Sequence, residues 1–114
     1  MRFFLWVLVA LSLGACRHGA EFEQICEAFR ALQREPTLTA MDGAERTAFV
    51  EERLPGWWLY SHSEVVWDLV PDALPEARYV IFRTSAAEIL GRDWRCSAMQ
   101  ALVPTLYWPT ASYP

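Results

Sequence analysis

Residues 21–35 read EFEQICEAFRALQRE, and this stretch decides the fold. Phe22, Ile25, Cys26, Phe29 and Leu32 recur at the i, i+3, i+4, i+7 spacing that puts apolar side chains on one face of an α-helix. Glu21 and Glu23 occupy the first turn and Arg30 and Arg34 the last, which complements the helix dipole. Pro36 stops the helix, because it lacks a donor and its ring clashes with the preceding turn.

Downstream the same grammar repeats in shorter units. Asp42-Gly43-Ala44-Glu45 has capping-box spacing and predicts a second helix, with Ala48 and Phe49 inward, ending at Pro55-Gly56. Glu45, Arg46, Glu51, Glu52 and Arg53 form its solvated face. Ser61-His62-Ser63-Glu64 predicts a third helix through Val65, Val66, Leu69 and Val70, and Pro71 and Pro75 bound the following turn. Residues 75–90 admit two readings. Ala77, Val80, Ile81, Thr84, Ala87 and Leu90 make a helical stripe, with Pro75 in its first turn and Gly91 at its left-handed end. Tyr79-Val80-Ile81-Phe82 could instead be a strand, followed by a shorter helix capped at Ser85. We take the helix, because a lone strand has no partner. Asp93 is expected to cap a last helix, Trp94 to Val103, with Cys96, Met99 and Leu102 or Val103 inward. Residues 104–114 read as an irregular, fraying tail.

Upstream, Met1-Arg2 gives a positive start and Phe3 to Leu13 an apolar stretch interrupted by Ser12 alone. Its helical length of about 16 Å is half of a bilayer's hydrocarbon thickness, the layout of a cleavable export signal. Leu13-Gly14-Ala15-Cys16 resembles the lipobox of bacterial lipoproteins: an aliphatic residue, two small residues and a cysteine. The resemblance implies removal of residues 1–15, a diacylglyceryl group on the Cys16 thiol, and acylation (palmitate-type) of its new amino group. It further implies an envelope location with the bilayer as partner. Arg17 follows the cysteine in place of an Asp retention signal, which favours the outer membrane facing the periplasm over the inner membrane. Cys16 to Ala20 would be a tether of at most about 17 Å, so the domain over residues 21–103 stays close to the surface.

Three cysteines are an odd number for an exported chain, and lipidation of Cys16 accounts for one. Cys26 and Cys96 then have each other in an oxidising compartment. A bridge closing about 70 residues contributes about 4 kcal/mol by the chain-entropy argument. Metal ligation or redox catalysis by these cysteines finds no Cys-x-x-Cys, and only His18 and His62 to assist. The expected fold is therefore all-α: a small bundle of four or five short helices, first and last joined by a Cys26–Cys96 disulfide. Gly91-x-x-Trp94-x-Cys96-x-Ala98-Met99 resembles the ending of small exported helical proteins of GC-rich bacteria. That resemblance supports the fold and implies no reaction.

Composition bounds the function. The 114 residues hold 10 basic groups, all Arg, and 14 acidic ones, for a net charge of −4, which excludes a nucleic-acid partner lacking a positive patch to meet. Ser61-His62-Ser63-Glu64 gathers a hydroxyl, an imidazole and a carboxylate, but consecutive helical residues diverge, so it reads as a helix start. Phosphate loops are absent, and we expect no enzyme, no cofactor and no metal site, with His18 solvated in the tether. Six Trp are many for this length. Trp67 and Trp94 read as core. Trp57 and Trp58, with Tyr60 close by, follow Pro55-Gly56 in a loop, where one ring packs inward and the other could stack on a sugar. The leading expectation is a non-catalytic envelope lipoprotein acting as an accessory or interaction module. The alternative is a peptidoglycan- or glycan-binding lipoprotein using Trp57, Trp58 and Tyr60.

Overall fold

A computed structural model describes the backbone of residues 2–109 and the side chains of residues 18–109. The expected signal, Cys16 and the last five tail residues fall outside the described side chains. Five α-helices are joined by 3-10 turns: α1 Arg2–Gln33, α2 Gly43–Glu52, α3 His62–Trp67, α4 Arg78–Leu90 and α5 Ser97–Leu102, with no strand among the described residues. Among the described residues, no helix is long and apolar enough to cross a membrane.

The apolar face read in residues 21–35 is the floor of the core: Phe22, Ile25, Cys26, Phe29 and Leu32 are all fully buried. Aromatic rings continue it, Phe29–Trp67 and Trp67–Phe82 edge to face and Phe82–Trp94 tilted. Phe29 meets Trp67 at 5.8 Å between ring centroids, Trp67 meets Phe82 at 6.1 Å, and Phe82 meets Trp94 at 5.3 Å. Edge-to-face geometry sets the positive edge of one ring on the negative face of the next. Cys26 and Cys96 are joined in a disulfide across a Cα separation of 5.9 Å, tying α1 to the residue just before α5. The Tyr79 hydroxyl accepts the buried Cys96 N–H at 3.0 Å, so α4 fixes the second half of that link.

Several expectations need correcting. Residues 16–20, read as a short tether, are helical and continue α1. They contain no proline, and extending a helix that is already docked costs little compared with nucleating one. On α2 the capping box is present, but Thr47 and Val50 are buried while Ala48 is exposed and Phe49 half-buried. Its inward face is turned because Thr47 Oγ1 bonds back to the Gly43 carbonyl at 3.0 Å and accepts the Tyr107 N–H, also at 3.0 Å. Ser61 caps α3 as expected, but the helix ends at Trp67, and Val65 and Leu69 are exposed while Val66 and Val70 are buried.

Residues 78–90 are a helix, with Gly91 closing it at φ 69°, the left-handed conformation a glycine adopts without strain. Its buried face is Arg78, Tyr79, Phe82 and Ala86, whereas Val80 is 61% exposed. The large rings, not the aliphatic stripe, fill the space over α1. Asp93 caps nothing. It pairs with Arg83 at 3.0 Å and Arg95 at 2.8 Å, and α5 begins only at Ser97.

The tail is docked as far as Trp108. Leu106 is buried, and Trp108 packs edge-on against Trp67 at 5.5 Å. Arg78, itself buried, donates to the carbonyls of Val103 and Leu106 at 3.0 Å and of Pro104 at 3.4 Å, with its guanidinium 5.1 Å from the Trp108 ring. Gly43 permits the approach: a Cβ there would meet Tyr107 Cβ at 2.8 Å and the Thr105 carbonyl at 2.9 Å.

Candidate functional site

The site forms where residues 56–62 cross the described start of α1. Pro55 enters extended and Gly56–Tyr60 wind into a 3-10 turn. Three residues per turn put Trp57 and Tyr60 on one side and send Trp58 the other way. Trp58 is 1% exposed and donates its indole N–H to the Glu21 carbonyl at 2.9 Å. This removes Trp58 from the ligand-binding candidates: its ring is core and its polar edge is satisfied. Trp57 and Tyr60 remain outside, 55% and 95% exposed.

Ser61 then ends the turn and opens α3, its Oγ accepting the Glu64 N–H at 3.2 Å. The first residue of that helix, His62, therefore projects back over α1. On α1, His18 and Glu21 share a face at i, i+3 spacing. His18 Nδ1 lies 3.4 Å and His62 Nδ1 3.9 Å from the same carboxylate oxygen, Glu21 Oε2. The two imidazole rings meet edge to face at 4.7 Å. Glu21 is the shielded member, its side chain 13% exposed against 34% for His18 and 63% for His62.

A cavity of about 440 Å³ opens beside this trio, lined by His18, Ala20, Glu21, Trp57, Tyr60, Ser61 and His62. A smaller hollow of about 270 Å³ lies along Ala20, Glu23, Gln24, Glu27 and Trp57, so the Trp57 indole borders both. A third hollow runs along Arg83, Thr84, Ala87, Glu88 and Asp93. There the Arg95 guanidinium, and after it Arg83, hold the Asp93 carboxyl below its ordinary value.

The run Ser61-His62-Ser63-Glu64 forms no nucleophile–base pair. The Ser61 hydroxyl is taken up by the cap, and Ser63 is fully buried with its Oγ unpartnered. Trp67 and Trp94 lie in the core as expected. The sequence reading missed the His18–Glu21–His62 cluster, having placed His18 in a solvated tether and expected no metal ligands. The one local signal was His18-x-x-Glu21; the third member arrives only through a tertiary contact. No family model, curated protein or solved structure matches this chain.

Proposed function

We propose that this chain is a cell-envelope lipoprotein, acylated on Cys16, whose helical domain is a non-catalytic binding or accessory module held against a bilayer. The observation that carries the reading is the buried Cys26–Cys96 disulfide. Such a bond persists in oxidising, exported environments. It also uses two of the three cysteines, and the third stands at the end of the Leu13-Gly14-Ala15-Cys16 signal. Acyl chains contribute about 0.8 kcal/mol per buried methylene, so a diacylglyceryl group with a further chain gives stable anchoring. With helical rise of about 1.5 Å per residue, His18 follows such an anchor by about 3 Å and Glu21 by about 7.5 Å. The cavity would then open next to the headgroups, in the outer membrane's periplasmic leaflet on the Arg17 reading.

Metabolic labelling with palmitate, followed by envelope fractionation, tests this. Wild type should be processed, labelled and recovered with membranes, and Cys16→Ser should be unlabelled and unprocessed. Processing of Cys16→Ser at the same rate as wild type would contradict it.

A second reading, glycan binding, is favoured by Trp57 and Tyr60 flanking the cavity on one side of their turn. Titration with muropeptides should shift tryptophan fluorescence in wild type and not in Trp57→Ala. An unshifted wild-type spectrum contradicts this reading.

A further inference from the structure

We propose that His18, Glu21 and His62 form a binding site for one divalent late-transition metal ion, with Zn2+ as the representative occupant, bridging α1 to the start of α3. Each residue offers one ligand atom, and these atoms lie within 4.8 Å of one another. An ordinary N–H···O bond spans about 2.7–3.2 Å, so the 3.4 Å and 3.9 Å separations are long for direct hydrogen bonds. Zinc bonds of about 2.0–2.2 Å in a tetrahedron put neighbouring ligand atoms about 3.3 Å apart. The His18–Glu21 edge already has that length. The remaining edges need to close by about 0.6–1.5 Å, which rotation of the mostly exposed His62 ring supplies.

The frame behind the ligands is fixed. Trp58, buried, pins the Glu21 carbonyl, and Ser61 caps the helix that His62 begins. Ligands on two elements held by core contacts are preorganised, leaving only side-chain torsions to adjust. Among the described residues no arginine pairs with Glu21; the side chains beside its carboxylate are the two imidazoles. Arg92 borders the same stretch of α1, its Nη2 3.6 Å from where a Cβ on Gly19 would stand.

The donor set chooses the ion. Two neutral imidazoles and a carboxylate suit Zn2+ and its late-transition neighbours, whereas Ca2+ and Mg2+ require oxygen ligands. Three protein ligands leave a fourth position, and all three ligand residues line the cavity that Trp57 and Tyr60 also wall. A small anionic or carbonyl-bearing molecule could take that position. This site involves no acyl group, so it stands or fails independently of the Cys16 reading.

The test uses the full chain in mild detergent, purified without a histidine tag, stripped with chelator and titrated calorimetrically with Zn2+. Wild type and Cys16→Ser should each bind one ion per chain, and Ca2+ should give no heat. Glu21→Gln, His18→Ala and His62→Ala should each weaken Zn2+ by at least about tenfold, the lower end of what even an outer-shell loss does to metal sites. Zn2+ should also raise the melting temperature of wild type by mass action and leave that of the His18→Ala/His62→Ala double variant unchanged. Helical circular dichroism of each metal-free variant checks folding, which these surface imidazoles do not support. Equal Zn2+ affinity in wild type and the double variant would overturn the proposal. So would wild type giving no heat at 100-fold molar excess.

Discussion

Arg78 is a cation buried without a carboxylate within ion-pair distance among the described residues, and replacing it by Met isolates what it does. The aliphatic stem is kept, so packing changes little, while three carbonyls lose a charged donor and Val103's keeps only the Leu106 N–H. Hydrogen bonds from a charged donor contribute about 1.5–3 kcal/mol each, and leaving a buried acceptor unpaired costs about 1–3 kcal/mol. Opposing these is the desolvation of the guanidinium, which burial already pushes below its ordinary pKa although it stays protonated at any working pH. With two bonds at 3.0 Å and one weaker at 3.4 Å, the balance is a loss of about 3 kcal/mol. For a domain of this size each kcal/mol lowers the melting temperature by about 4–8 °C, so Arg78→Met should melt at least about 12 °C below wild type. Hydrogen exchange should locate the damage, with the Tyr107 amide, which donates to Thr47 Oγ1, losing protection before the amides of α1. A variant that melts within about 2 °C of wild type, well inside one kcal/mol, with Tyr107 still protected, would refute the reasoning.

Three further outcomes follow from the same structure. The Cys26→Ala/Cys96→Ala pair should lose about 4 kcal/mol in denaturant unfolding, and reductant should then have no additional effect on the variant. Gly43→Ala should destabilise and expose Trp108 to quencher, because its Cβ has no room beside Tyr107 and Thr105, whereas Gly56→Ala meets nothing within 4 Å and should melt like wild type. The Asp93 carboxyl, held low by Arg95 and Arg83, and the Glu27 carboxyl, held low by Arg34 and Arg30, have folded pKa values below their unfolded ones. Their contribution is therefore complete above about pH 5 and is lost as pH falls through the folded values. Both are exposed, so the effect is small: Asp93→Asn should show a shallower fall in melting temperature from pH 5 to 2.5 than wild type, and parallel curves would contradict it.

What the sequence disclosed were features that local periodicity encodes. The α1 face from Phe22 to Leu32, the Asp42 and Ser61 caps and the Gly91 terminus depend on neighbours within four residues. Odd-cysteine arithmetic reached the Cys26–Cys96 pair. What it hid depends on contacts far along the chain. The inward face of α4 follows Tyr79 and Phe82 because Cys96 N–H and the ring cluster claim them, which no stripe of Val80 and Ile81 reveals. The docked tail depends on Arg78, whose carbonyl partners lie 25 or more positions along the chain and leave no local pattern. His18 and His62, 44 positions apart, meet because Trp58 clamps its turn onto Glu21.

The central claim is that three sulfur atoms have separate duties, one carrying lipid and two locking the bundle. Intact mass of the membrane-extracted protein, taken without reductant, tests it most directly. The account predicts a chain beginning at Cys16, heavier by a diacylglyceryl group and an amide-linked acyl chain, and lighter by two hydrogens. A mass that includes Met1, or two alkylatable thiols in unreduced material, would contradict it.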